Sequence, residues 1–106
     1  MHELELHIGE DNLIEWEGML DSASKAYVNN ATTTFTLKDS TGSTFSGASG
    51  VTMDYVASSN GNYQGVLSAG VELVRNAAYW LEISATSGAL TGFRRIRCIA
   101  LYHGAE

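Results

Sequence analysis

Proline is absent from this 106-residue chain, cysteine occurs once, and Lys and Arg number only 6 against 12 Asp and Glu. Without proline, edge strands must be protected by charges and bulges. A single Cys98 excludes an internal disulfide, so the core has to supply the stability that small secreted domains draw from crosslinks. No acid–base partner marks Cys98 as a nucleophile, and it reads as a small buried residue of the last strand. The net charge of −6 argues against nucleic acid as a partner, because phosphate binding relies on clustered Lys and Arg. No apolar run approaches the roughly 20 residues that span a bilayer, so no membrane is expected as a partner. The opening His2-Glu-Leu-Glu-Leu6 lacks the basic start and continuous apolar stretch of a secretory signal. The expectation is a soluble, cytosolically made product forming one domain over residues 1–106.

Apolar residues at 44% and charged ones at 17% describe a globular chain, and alternation along it points to strands. Leu4, Leu6 and Ile8 share one face of a first strand, with Glu3, Glu5 and His7 on the other. A second strand runs from Leu13 to Leu20, with Ile14, Trp16 and Leu20 inward and Glu15, Glu17 and Met19 outward. Thr32 to Lys38 sets Phe35 and Leu37 against a ladder of Thr32, Thr34 and Thr36. Asp39 to Gly42 is a turn, and Ser43 to Ser46 a short edge strand around Phe45.

Val51 to Ala57 and Tyr63 to Leu67 flank the hairpin signal Asn60-Gly61. A three-residue loop over Ser59, Asn60 and Gly61, with Gly61 left-handed, keeps one face apolar by pairing Ala57 with Tyr63, Tyr55 with Gly65 and Met53 with Leu67. Ala78 to Ala85 and Phe93 to His103 form the last two strands, joined by a loop over Thr86 to Gly92. A helical turn near Val71 to Arg75 is the most helix the pattern allows. Seven or eight strands with turn signals about every ten residues give an all-β antiparallel sandwich.

Leu73 stands six residues before Tyr79, Asn76 between them tolerates positive φ, and Tyr79-Trp-Leu-Glu-Ile-Ser-Ala85 then alternates. This resembles the tyrosine corner of fibronectin type III and related immunoglobulin-like domains, which implies an inward Tyr79 whose hydroxyl bonds backbone near Leu73. Leu13-Ile-Glu-Trp16 is similar to the second strand of such domains, where a tryptophan fills the core. As a short, acidic, cysteine-poor chain, the protein also resembles small β-sandwich proteins encoded among the structural genes of tailed bacteriophages. That resemblance implies a virion or host-cytoplasm location.

Candidate chemistry is sparse. His2 and His7 point to opposite faces of one strand, so with His103 they do not converge on a metal. No nucleophile elbow surrounds any serine. Turn oxygens at Gly9 to Asn12, Asp39 to Gly42 and Asn60 to Asn62 are explained by turn chemistry without Ca²⁺. No catalytic residue, cofactor or metal is therefore expected. The informative group is apolar and faces outward. If Tyr79, Leu81 and Ile83 point inward with Ile96, Cys98, Ala100 and Tyr102, then Trp80, Phe93, Arg95, Arg97, Ile99 and Leu101 point outward. Trp80 would then sit beside Ile99 or Leu101, bordered by the threonine ladder. Such a patch suits self-association or contact with another virion protein, with Arg95, Arg97, Glu3 and Glu5 setting register. The alternative is a carbohydrate platform based on Trp80. The carboxylates before Lys25 and the arginines at 94, 95 and 97 further suggest that the first and last strands are neighbours.

Overall fold

The computed structural model describes residues 4–21, 24–45, 47–88 and 90–102, of Leu90 the backbone only. Seven strands form: β1 (Leu4–His7), β2 (Asn12–Trp16), β3 (Thr32–Asp39), β4 (Val51–Tyr55), β5 (Tyr63–Leu67), β6 (Ala78–Ser87) and β7 (Leu90–Leu101). Among the described residues there is no helix. All seven strands belong to one hydrogen-bonded sheet in the order β1-β7-β6-β3-β4-β5-β2.

The first and last strands are neighbours, but β1 runs parallel to β7, so the sheet is mixed where the sequence implied purely antiparallel pairing. The reason lies at the corner after β1. Asn12 Oδ1 accepts from the His7 N–H at 2.8 Å, and Asn12 Nδ2 donates to the carbonyls of His7 at 3.0 Å and Glu10 at 3.2 Å. The Asn12 side chain thus occupies the His7 backbone groups that a β1–β2 hairpin would use. A corner of only four residues joins the two strands at opposite ends of the sheet order. The sheet must therefore curl until its ends meet, which brings it close to a barrel.

The interior is filled by one inward residue in two from nearly every strand: Leu6, Ile14, Phe35, Leu37, Tyr63, Leu67, Leu81, Ile83 and Cys98 are almost wholly buried. Trp16 closes one end of this core against Gly92, where an added Cβ would lie 3.2 Å from the indole. Tyr79 is buried, packs edge-on against Phe45 with ring centroids 5.4 Å apart, and its hydroxyl accepts from the Val74 N–H at 2.8 Å. Asn76 has a φ of 66°, so it takes the left-handed conformation that its side chain tolerates.

Several expectations are corrected. After β2 the alternation reverses, because Gly18 at φ 68° shifts the parity of the chain. Met19, expected outside, is 5% exposed, whereas Leu20, expected inside, is 51% exposed. The β4–β5 hairpin pairs Tyr55 with Tyr63 instead of Gly65, a slip of two residues that keeps Met53, Tyr63 and Leu67 inward, whereas Ala57, expected opposite Tyr63, lies exposed in the loop. The longer loop, residues 56–62, docks onto the chain after β2: Gly18 N donates to Asn62 Oδ1, Gly61 N to Asn29 Oδ1 and Met19 N to the Gly61 carbonyl, each at 2.8 Å. Gly61 is left-handed at φ 72°, and a Cβ there would lie 2.6 Å from the Met19 carbonyl oxygen. Gly65 is covered by Met53 and Phe35 rather than Tyr55.

The expected loop from Thr86 to Gly92 is instead ladder, with Ser87 opposite Leu90. Gly88 at φ 59° leads the two-residue turn that this register needs. The edge strand expected around Phe45 reduces to a single bridge between Lys38 and Thr44, and Ser46 lies outside the described residues. Tyr102, beyond the end of β7, is 48% exposed rather than inward. The segment near Val71 to Arg75 holds two separate turns, Val71 N to the Ser68 carbonyl and Ala77 N to the Val74 carbonyl.

Candidate interaction surface

Alternation in β6 fixes the outward face. Tyr79, Leu81, Ile83 and Ala85 are buried, and Ala78, Trp80, Glu82, Ser84 and Thr86 take the opposite side. Across β7 the outward residues are Thr91, Phe93, Arg95, Arg97, Ile99 and Leu101, and across β3 they are Thr32, Thr34, Thr36 and Lys38. All six residues singled out from the sequence therefore share one sheet face. Phe93, Arg95 and Arg97 are exposed, while Trp80, Ile99 and Leu101 are half-buried.

Their order along the face differs from the expected cluster. Trp80 is directly opposite Arg97 on one side and Lys38 on the other. Ile99 is its diagonal neighbour, opposite Ala78 on β6 and Glu5 on β1, and Leu101 lies opposite His7. The threonine ladder begins one row away, with Thr36 opposite Glu82. Phe93, 60% exposed, is opposite Ser84, so the row of Glu82 and Arg95 separates its ring from Trp80.

That row is an ion network. Lys38 Nζ lies 3.0 Å from Glu82 Oε1, and Arg95 Nε lies 3.5 Å from Glu82 Oε2. The Arg95 guanidinium also sits 4.0 Å above the Trp80 ring, a cation–π contact that holds indole and cation as one flat unit. Three cations thus surround one carboxylate and one indole in a chain that is acidic as a whole. Glu5 stands 3.8 Å from His7 Nε2, so its nearest partner is on its own strand. Glu3, His2 and His103 lie outside the described residues.

Sequence reasoning passed over a second surface. On the flank made by β2, β5 and β4, Leu13 and Val66 face each other across strands and are 53% and 50% exposed. In the next row stand Glu15, Gln64 and Asp54. The signal was present as two aliphatic residues at outward parity in adjacent strands. A recess of about 280 Å³ runs beside Leu13, lined also by Leu4, Ile14, Glu15 and Ile96.

Among the described residues, no three His, Cys, Asp or Glu side chains gather as a metal-binding group. Comparison of the chain with protein-family models, with curated proteins and with solved structures found no match to any of them.

Proposed function

We propose that this protein is a non-enzymatic, immunoglobulin-like assembly module that associates with a second copy or another virion protein through the outward face of β7-β6-β3. The observation that carries the reading is Trp80, held outward on a sheet face beneath Arg95 and between Lys38 and Arg97. Tryptophan and arginine dominate interface hot spots because they combine a large apolar area with directional polar contacts. Ile99 and Leu101 extend the apolar area toward β1.

The immunoglobulin-like assignment draws support from strand order. In such domains the third, sixth and seventh strands share one sheet and the second and fifth share the other. Here β3-β6-β7 and β2-β5 are adjacent in the same way, with β4 joining both groups. The Tyr79 hydroxyl on Val74 supports the same reading. The virion setting, in a phage particle or its host cytoplasm, rests on the type of chain: short, proline-free and acidic.

Sedimentation velocity of the wild type against Trp80→Ser tests the proposal. The wild type is expected to associate as concentration rises, and Trp80→Ser to remain monomeric with an unchanged far-UV circular dichroism spectrum. Equal association by both proteins, or monomers for both, removes self-assembly through this face. Carbohydrate is the competing partner, and a glycan array that finds a ligand lost with Trp80→Ser would replace the assembly reading.

A further inference from the structure

The curled sheet does not close on itself. β1 and β2 are the two ends of the strand order, and β1 pairs only with the last part of β7, from Cys98 to Leu101. Among the described residues, no strand lies beside β7 from Thr91 to Ile96 on the edge away from β6. The inward side chains of β7 record where the cover stops. Ala100 and Cys98, beside β1, are 0% exposed, whereas Ile96 is half-buried and Arg94, opposite the buried Ile83, is exposed. The recess of about 280 Å³ lies along this seam, lined by Leu4 of β1, Ile14 of β2, Leu81 of β6 and Ile96 of β7.

Backbone groups face the same seam. Residues of an antiparallel strand alternate between those that exchange bonds with one neighbour and those that turn their polar groups to the other side. The Ala100 N–H donates to the Ala77 carbonyl on the β6 side, and the Leu101 carbonyl accepts from the Ile8 N–H on the β1 side. No bulge interrupts the β6–β7 register, so this parity carries back to Thr91, Phe93 and Arg95, whose N–H and C=O groups point away from β6 toward the seam. An edge of this kind is a template for another strand, and neither proline nor a bulge blocks it.

We infer that the seam takes an extended peptide segment of a partner protein, added as a strand beside β7 and carrying aliphatic side chains at every second position. Main-chain bonds to Thr91, Phe93 and Arg95 supply the affinity, and an alternate side chain enters the recess against Ile14, Leu81 and Ile96. A single strand suits the seam, because one recess is lined from both β2 and β7 and the site continues the line of β1. The Trp80 side chain lies on the outward face and takes no part, so the inference stands apart from the assembly reading.

Amide exchange followed by nuclear magnetic resonance on the full chain tests the seam. The probe is a peptide of the sequence His2 to Ile8, in which Leu4 and Leu6 alternate with Glu5, a pattern that β7 already accepts. A peptide of the same composition with its leucines adjacent is the control. In the free chain the Thr91, Phe93 and Arg95 amides are expected to exchange fast. Saturating probe is expected to slow them about tenfold or more, with the control binding at least about tenfold more weakly. Phe93→Pro removes a seam-facing N–H without touching the ladder to β6 and is expected to lose the binding. The probe N-methylated along its backbone makes the same test should that variant fail to fold, and Trp80→Ser is expected to bind as the wild type does. A probe that does not bind, equal binding by the control, slow exchange of these amides in the dilute free chain, or binding that leaves their exchange unchanged overturns the inference. Protection that grows with protein concentration alone assigns the edge to a second copy and overturns the peptide partner. Loss of binding with Trp80→Ser moves the site to the outward face and overturns the seam.

Discussion

Thr33 lies on the inward side of β3, 1% exposed, and its hydroxyl has no hydrogen-bond partner. A buried donor without a partner forfeits its hydration and regains nothing. Thr33→Val keeps the shape of the side chain and removes that group, so it is expected to raise stability by about 1 kcal/mol in urea denaturation. A loss of stability would show that the hydroxyl is satisfied. Asp39 presents the opposite case. Its Oδ1 accepts from the Thr41 hydroxyl at 2.6 Å, the Thr41 N–H at 2.9 Å and the Ser43 N–H at 3.0 Å. The hydroxyl of Thr41, then the Ser43 amide, hold the carboxyl below its ordinary value. A depressed folded-state pKa contributes stability above the unfolded value of about 3.9 and loses it as pH falls through the folded value. Asp39→Asn is therefore expected to lower stability near neutrality and to flatten its fall in acid. Parallel stability–pH curves for the two proteins would contradict this.

At the scale of elements, strands were legible wherever alternation ran unbroken. Phe35 and Leu37, Tyr79, Leu81 and Ile83, and Leu6 are buried as their spacing implies, because a half-buried strand has only one way to sort its side chains. Legibility failed where backbone conformation, which leaves no periodic trace, intervened. Gly18 reversed the faces of Met19 and Leu20, and Asn62 and Gly61 bound the segment after β2, lengthening the hairpin loop. The parallel direction of the β1–β7 pairing was equally hidden, since the corner that turns the chain away from a β1–β2 hairpin is closed by the hydrogen bonds of one side chain, Asn12. Its removal should open the corner: Asn12→Ala is expected to cost about 1–3 kcal/mol and to speed amide exchange in β1 first. Uniform exchange across the sheet would deny the corner this local role.

For the whole molecule, the outward set on β6 and β7 was readable from parity, but its arrangement was not. Register between strands decided that Arg97 and Lys38, not Ile99 and Leu101, stand directly beside Trp80. The result is a charged, amphipathic face in place of a continuous apolar patch. Leu20 and Val74, 51% and 63% exposed, lie outside the proposed face and serve as internal controls. Hydroxyl-radical footprinting at low and high protein concentration reads all of these side chains together. The account predicts that Trp80 and Phe93 become protected as concentration rises, while Leu20 and Val74 stay as reactive as before. Association with Trp80 still fully reactive would contradict it.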